Sequence, residues 1–284
     1  IIGTRRPESY TSRFCLRVPM IIRFPEAQLA GTRDDQLISF IDFAPTVMSL
    51  AGIPPPNHLD GQAFLGAFKA DQARQYIHAA ADRFDAQYDR VRAVRDGRYK
   101  YIRYYEPEKP MFLPVRYREQ MAIMQELHRL DSLGQLNPIQ QQWFRATKPQ
   151  EELFDTQADP HEVQNLAKEP QLAEQLKSLR TECERWINKT KDKGAIAEKT
   201  YLEQIWPNGK QPQTAEPLLS KEGLYTQLSC STQGASIGYQ LLPDSIQQSD
   251  LWRVYIDPIT IPPGFHLNAM AHRLGYLPSE IVAE

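Results

Sequence analysis

The chain has 284 residues, of which 41% are hydrophobic and 24% are charged, and its formal net charge is −2. This length is comfortable for two domains, and the composition is sufficient for a packed core. A nucleic-acid-binding protein needs a clustered excess of basic residues. The slightly negative net charge therefore argues against nucleic-acid binding. No apolar run approaches the ~20 residues that span a bilayer, so no membrane span is predicted.

The first predicted elements are a strand and a helix. Residues 17–24 form an apolar run that is typical of a largely buried strand. Asp42 is a suitable helix cap, Pro45 suits the first turn, and Gly52 ends the helix. Its apolar face consists of Val47, Leu50 and Ala51. A strand followed by a helix indicates an α/β sheet.

The most strand-like part of the chain runs from 77 to 105. Residues 91–95 and 98–103 alternate between polar and apolar side chains, and the turn dipeptide Asp96-Gly97 joins them. This pattern predicts a β-hairpin with one buried and one solvated polar face. The interleaved arginines and tyrosines are explained by that alternation better than by RNA binding.

Helices are predicted for two later stretches. Residues 115–147 are helical but rich in loops, with an apolar stripe at Met121, Met124, Leu127 and Leu130. Residues 170–188 form a longer helix, with an apolar face at Leu172, Leu176, Leu179, Cys183 and Trp186. The opposite face of that helix is expected to be solvated and contains Glu174, Lys177, Arg180, Glu184 and Arg185.

A change of character near residue 190 separates the last part of the chain from the rest. Residues 190–218 are polar and contain prolines, which marks a domain boundary. Five short strands are then predicted, at 225–230, 236–241, 252–255, 259–261 and 265–272. Short strands separated by turn signals predict a small all-β sandwich.

Two groups of potentially reactive side chains are predicted to have structural rather than catalytic roles. Cys15, Cys183 and Cys230 are widely spaced, form no metal or disulfide pattern, and are expected to be buried free thiols. Residues 155–162 contain Asp155, Asp159, His161 and Glu162. The proline at 160 and the turn spacing favour backbone capping by the two aspartates over a metal cluster.

Five motifs in chain order resemble the later part of a sulfatase of the alkaline-phosphatase superfamily, in the branch that includes N-sulfoglucosamine sulfohydrolase. They are L-R-V-P-M-I-I-R-F-P at 16–25, D-F-A-P-T with L-A-G-I-P-P-P within 42–56, L-D-G at 59–61, R-D-G-R-Y-K-Y-I-R at 95–103, and E-L-F-D with D-P-H-E-V-Q-N-L within 152–166. The final 60 residues resemble the chitobiase/hexosaminidase C-terminal, or fibronectin-III-associated, β-sandwich.

These resemblances imply the fold class α/β plus α+β, followed by a small all-β sandwich. Residues 1–75 are expected to form the end of the sulfatase α/β core, and 76–190 its α+β subdomain with a small antiparallel sheet. Residues 191–219 are expected to be a linker, and 220–284 the accessory sandwich.

Catalytic residues and metal ligands are not predicted in this chain. The resemblance implies a formylglycine nucleophile, made in a C/S-x-P-x-R motif, and a Ca²⁺ ion for the complete enzyme. Neither that motif nor a D-[HN]-G metal motif occurs in the sequence. Residues 1–15 also depart from the family pattern that residues 16 onward follow, which motivates the hypothesis of a truncated or frame-shifted reading frame.

Arg83 and Asp85 are the candidate substrate-binding residues. They lie in a charged stretch before the hairpin, at a strand edge that faces the sulfate cleft in related sulfatases. Arginine suits bidentate recognition of sulfate or carboxylate. The structural alternative is a solvated loop.

The resemblance implies a sulfatase acting on an O-sulfate ester or N-sulfamate of a glycan, present here as a fragment that is inactive alone. A sulfated glycan or sugar is the expected partner, and a periplasmic or secreted location is the family expectation. The oligomeric state is not predicted. The alternative is a non-catalytic carbohydrate-binding or scaffold protein that retains a sulfatase shell.

Overall fold

The computed structural model describes residues 17–247 and 249–284. The chain divides into two compact units, with the boundary between Gly194 and Ala195. Among the described residues, no helix is both long enough and apolar enough to cross a membrane. Cys15 and the expected loss of register at 1–15 lie outside the described residues.

The first unit is built on a four-stranded antiparallel sheet in the order β1-β2-β3-β4. Its strands are β1 (Ile77–Phe84), β2 (Gln87–Arg95), β3 (Tyr99–Tyr104) and β4 (Glu151–Asp155). The Asp96 carboxylate closes the β2–β3 turn by accepting hydrogen bonds from the backbone N–H groups of Arg98 (2.7 Å) and Tyr99 (2.6 Å). The predicted hairpin is confirmed, as is the expected combination of helices with a small antiparallel sheet.

Apolar side chains cover both faces of this sheet. One face packs against loops and short helices through Val91, Ala93, Ile102, Tyr104, Met111, Phe112, Trp143 and Phe154. The other packs against helix α5 (Ala173–Thr190) through Val94, Tyr101, Leu153, Leu179 and Cys183. The expected solvated polar face is therefore wrong: Arg92 and Lys100 are only 1% and 2% exposed. Each is neutralised by carboxylates from distant parts of the chain.

Helix α5 confirms the predicted apolar stripe, since Leu179 and Cys183 are fully buried under the sheet. A 3₁₀ turn at Pro170–Leu172 precedes the helix. Most of the opposite face is exposed as expected. Arg180 differs, because its Nη2 atom lies 2.6 Å from Glu151 Oε2 on the sheet.

Three short helices occupy the stretch predicted to be helical and rich in loops. They are α2 (Arg116–Glu119), α3 (Ala122–Ser132) and α4 (Pro138–Gln141). Met124 and Leu127 are buried in the sheet cluster, whereas Met121 lies at the start of α3 and is exposed. The predicted apolar stripe is thus confirmed except at its first residue.

The predicted strand at 17–24 is wrong. These residues have no regular secondary structure, and Ile21 is 93% exposed. A strand is stabilised by hydrogen bonds to a neighbouring strand, and none of the described strands pairs with this segment. An apolar run can indicate a strand, but it does not supply that neighbour.

Helix α1 (Phe43–Leu50) lies where the sequence predicts it, with Gly52 following at a left-handed φ of 74°. Its orientation is the reverse of the expected one. The apolar residues Val47 and Leu50 are exposed, while Thr46 and Ser49 are buried. The polar side of the helix is therefore the side that packs against the rest of the first unit.

The second unit contains a helix and two antiparallel sheets. Helix α6 (Glu198–Ile205) lies within the predicted linker. One sheet has the order β10-β9-β7-β8, and the other pairs β5 with β6. The strands are β5 (Leu218–Glu222), β6 (Tyr225–Ser229), β7 (Ser236–Pro243), β8 (Arg253–Val254), β9 (Phe265–His272) and β10 (Val282–Ala283).

Both sheets of the second unit contribute to one apolar cluster, whose buried members are Leu228, Ile259, Leu267 and Ala269. Four of the five predicted strands are present. The fifth, at 259–261, is reduced to a single bridge between Ile259 and Thr226, with N–O distances of 2.9 and 2.8 Å. The resemblance of this unit to a chitobiase-type sandwich stays a prediction.

Candidate functional site

Asp42 organises the segment around helix α1. Its carboxylate is 2% exposed and accepts hydrogen bonds from the backbone N–H groups of Ser39 and Gln62, both at 2.9 Å. It also binds the guanidinium group of Arg74 through two contacts, one of them from Nε at 2.8 Å. Asp42 thus lies at the N-cap position of α1 as predicted, but its side chain makes no capping hydrogen bond to that helix. Through its four contacts it works instead as a hub that joins three segments.

The L-D-G motif packs directly against this hub. A Cβ atom added to Gly61 would lie 1.8 Å from the backbone oxygen of Ile41. The following segment is held by the buried hydroxyl groups of α1, because Phe64 N–H donates to Thr46 Oγ1 (3.1 Å) and Phe68 N–H to Ser49 Oγ (2.8 Å). Motif residues in this segment therefore serve packing.

Lys100 and Glu162 connect two further motifs. Lys100 Nζ lies 2.5 Å from Glu162 Oε2, and the two side chains are 2% and 1% exposed. Glu162 has a φ of 54°, a conformation uncommon for residues other than glycine. A buried pair in which both charges are compensated forms a structural link between the β-hairpin and the loop after β4.

The turn after β4 is held by side-chain caps. Asp155 Oδ1 accepts from the N–H groups of residues 157 and 158, each at 3.1 Å. Asp159 Oδ2 accepts from Val163 N–H at 2.7 Å and from Gln164 N–H at 2.9 Å. The predicted backbone capping is confirmed. No group of three or more His, Cys, Asp or Glu side chains that could hold a metal ion occurs in the described part of the chain.

The structure brings the candidate residues Arg83 and Asp85 together at the tip of the β1–β2 hairpin. Arg83 lies near the end of β1, and Asp85 occupies the turn with a φ of 49°. Arg83 Nη1 donates to the backbone oxygen of Asp85 at 3.0 Å, and both side chains are exposed. This arrangement fixes the arginine side chain at the hairpin tip.

Below this tip lies a small cavity of about 60 Å³. Its polar lining comes from Arg83, Gln87, Asp89, Tyr104, Arg118 and Trp143. Of these residues only Arg83 was predicted, and no local motif marks Arg118 and Trp143, which come from separate segments.

Asp89 is paired at the edge of this cavity. Its Oδ1 atom lies 2.6 Å from Nζ of Lys148, a side chain that is completely buried. Burial raises the pKa of Asp89, and the hydrogen bond from Lys148 opposes that rise without cancelling it. The lysine charge thus compensates the carboxylate charge.

A second charge network crosses the opposite face of the sheet. Arg92 binds Asp82 on β1 (2.8 Å) and Asp192 after helix α5 (2.7 Å). A Cβ atom at Gly194 would lie 2.1 Å from Arg92 Nη2, so the chain passes the guanidinium group closely. Asp192 therefore ties the end of the first unit to its sheet.

Glu151 has a strongly perturbed carboxyl group on the same face. It accepts hydrogen bonds from Arg180, Tyr101 and Arg103. The hydrogen bond from Arg180 is the largest cause that lowers the pKa of Glu151, to about 2. This site is a structural ion network.

The two described cysteines are both free thiols, as predicted, but only Cys183 is buried. Burial raises the pKa of the Cys183 thiol to about 12, which makes it unreactive at neutral pH. Cys230 is half-buried, and its Sγ atom lies 3.2 Å from the backbone oxygen of Ala215. Neither thiol has the features of a nucleophile.

Comparison with known proteins gives these features a family context. Residues 10–121 match the C-terminal domain of N-sulphoglucosamine sulphohydrolase. The match begins within the residues expected to be out of register, and the frame-shift hypothesis stays a prediction. An ulvan-active sulfatase of Formosa agariphila is 47% identical over 269 residues, covering 94% of this chain and 45% of that protein.

Two further proteins are more distantly similar. N-sulphoglucosamine sulphohydrolase of Homo sapiens is 24% identical over 200 residues, covering 66% of this chain and 39% of that protein. The solved structure of a 2-O GAG sulfatase is 23% identical with a TM-score of 0.37, covering 55% of this chain and 26% of that one. The chain spans less than half the length of these curated relatives. The chain therefore carries a C-terminal sulfatase domain, and its homologues are sulfatases.

Proposed function

We propose that this chain is the C-terminal part of a sulfatase that hydrolyses an O-sulfate ester or a sulfamate on a glycan. The observation that carries the proposal is the 47% identity to an ulvan-active sulfatase over 94% of the chain. One relative is named for ulvan and another for N-sulphoglucosamine, so a sulfated glycan is the proposed substrate. On the basis of the same relationship, we also propose a periplasmic or secreted location.

The catalytic centre is proposed to come from another part of the enzyme. The 284 residues contain no C/S-x-P-x-R motif for a formylglycine, and the described residues offer no metal-ligand cluster. The formylglycine and the Ca²⁺ ion are therefore assigned to sequence that the relatives have outside the matched region. This chain alone is then inactive.

The exposed face of helix α1 supports this assignment. Phe43, Val47 and Leu50 are 38%, 65% and 58% exposed, although the buried polar side of the helix holds it firmly on the first unit. Exposed apolar patches commonly mark interaction sites. We assign this face as the surface that packs against the catalytic region of the sulfatase.

Arg83 and Asp85 are proposed as substrate-binding residues at the hairpin tip. Their exposure and the fixed position of the Arg83 guanidinium group support contact with an anionic glycan group. If the proposal is right, Arg83→Ala in the complete enzyme raises KM; an unchanged KM contradicts it.

The main test is sulfate release from ulvan oligosaccharides and from a chromogenic aryl sulfate in the presence of Ca²⁺. We expect no turnover by this chain alone. We expect turnover when it is co-expressed with the part of the ulvan-active sulfatase that lies outside the matched region. Turnover by the chain alone would disprove the assigned division, and no turnover by the combination, with the parent sulfatase active, would disprove the proposed function.

The same assay tests the docking surface, which is the exposed apolar face of helix α1, with variants of that face. Val47→Asp and Leu50→Asp place charges on the exposed face of α1 and are expected to abolish the combined activity. Lys177→Asp changes an exposed site on helix α5 and serves as the control. Equal activity in all three variants contradicts the docking assignment. Specific glycan binding by the chain without turnover in any combination favours the carbohydrate-binding alternative.

A further inference from the structure

The cavity below the β1–β2 hairpin contains two buried N–H groups without acceptors. Trp143 is 4% exposed, and its Nε1 atom has no hydrogen-bond partner among the described residues. The same is true of the buried Nε atom of Arg118 within residues 17–247 and 249–284. Both residues line the cavity. Because an unsatisfied buried donor costs free energy, two donors around one cavity indicate an acceptor that binds there.

Arg118 is held in place by its surroundings. Its Nη2 atom donates to the backbone oxygen of Leu113 at 2.7 Å. Its guanidinium carbon lies 5.1 Å, 5.4 Å and 5.8 Å from the ring centroids of Phe112, Trp143 and Phe84. A guanidinium group fixed among aromatic rings is a preorganised donor with a positive charge.

The charge around the cavity favours an anion. Asp89 is the acidic residue of the lining, and Lys148 already compensates its charge. Arg118 then adds a positive charge to the lining, which also includes Arg83. Arg83 is fixed at the exposed side through its bond to Asp85, and Gln87 is bound through Nε2 to the backbone oxygen of Pro114 at 2.9 Å.

The size of the cavity limits the ligand to one small group. Its volume of about 60 Å³ is far below the ~300–1,000 Å³ of pockets that enclose a whole small molecule. A sugar ring does not fit, whereas a single substituent of a sugar does.

We propose that this cavity binds one sulfo group, with Arg118 Nε and Trp143 Nε1 donating to its oxygens and Arg83 at its exposed side. The choice of sulfate among anions rests on the proposed function. The interaction is binding only, and no bond is formed or broken in the cavity. A second sulfate of a glycan held here would select substrates by their sulfation pattern.

The test follows the Trp143 indole N–H signal of the ¹⁵N-labelled full chain during titration with inorganic sulfate. We expect a saturable shift of this signal, identified by its loss in Trp143→Phe, and no such shift with chloride at equal ionic strength. Arg118→Gln is expected to raise the sulfate Kd at least tenfold. Arg129→Gln removes an exposed arginine from helix α3 and is expected to leave the Kd unchanged.

Trp143→Phe provides a second measurement by calorimetry, because it removes the N–H group and keeps an aromatic ring. We expect weaker sulfate binding in this variant. An unmoved indole signal, an equal response to chloride, or an unchanged Kd in both Arg118→Gln and Trp143→Phe disproves the site.

A second series uses ulvan oligosaccharides before and after chemical desulfation. A shift with the sulfated oligosaccharide alone identifies the glycan as the source of the sulfo group. A shift with inorganic sulfate but not with the oligosaccharide disproves substrate selection. Sulfate binding without turnover by the combined enzyme contradicts the proposed function alone, and turnover with an unmoved signal contradicts this site alone.

Discussion

Lys100 and Glu162 form an ion pair across 62 positions of sequence, with both side chains almost fully buried. One partner lies on β3, and the other follows the turn after β4. Glu162 also adopts a left-handed backbone conformation to reach this position. The two sulfatase motifs that contain these residues are thus joined by direct contact.

Removing one partner of this pair is expected to destabilise the first unit strongly. Glu162→Gln leaves the Lys100 charge buried without its carboxylate, which costs about 3–5 kcal/mol of the free energy of unfolding. Urea denaturation followed by circular dichroism measures the loss. Glu126→Gln, at the exposed pair with Arg129, is the control and is expected to cost far less, because solvent screens that pair. Similar losses in both variants would contradict this account.

Gly61 is expected to tolerate no side chain. Gly61→Ala forces a Cβ atom into the backbone of Ile41, and we expect a loss of about 1–3 kcal/mol or more. Gly97→Ala is the matched control, because nothing lies within 4 Å of its added Cβ atom. Thermal denaturation compares the two variants. A Gly61→Ala protein as stable as Gly97→Ala would show that the segment shifts freely.

Glu151 is expected to make stability depend on pH in the acid range. Its pKa falls from 4.5 to about 2 on folding, so its stabilising contribution is full above pH 4.5 and is lost as the pH falls towards 2. Denaturation midpoints of the wild type and Glu151→Gln should therefore converge between pH 4.5 and 2. Glu184→Gln, on the exposed face of α5, provides the comparison. A constant difference between wild type and Glu151→Gln across this window would contradict the assignment.

Cys183 is expected to resist alkylation in the folded protein. Burial keeps its thiol protonated, whereas Cys230 is partly accessible. In a Cys15→Ser background at pH 8, iodoacetamide followed by peptide mass spectrometry should label Cys230 first. Denaturation should equalise the two sites. Rapid labelling of Cys183 under native conditions would disprove its predicted protection.

Local patterns predicted local structure well. The hairpin depends on alternation and on the Asp96-Gly97 turn, which act between neighbouring residues, and both are visible in the sequence. The strand at 17–24 failed because its formation depends on a partner strand that the pattern does not contain.

Long-range contacts account for the remaining differences. Arg92 was expected in solvent, yet Asp192, 100 positions later, compensates its charge inside the protein. Likewise, Arg118 and Trp143 meet at one cavity although 25 positions separate them, and no motif links them. The exposed apolar face of α1 could not be predicted either, because helical periodicity identifies a face but not which neighbour covers it.

The contact of Asp192 with Arg92 determines where the chain can be divided for separate expression. A cut at the predicted boundary after residue 190 removes this carboxylate and leaves Asp82 as the one carboxylate bound to the Arg92 guanidinium group among the described contacts. A cut after Gly194 retains both acidic partners. A truncated first unit must therefore include residues 191–194 to preserve the charge balance on this face of the sheet.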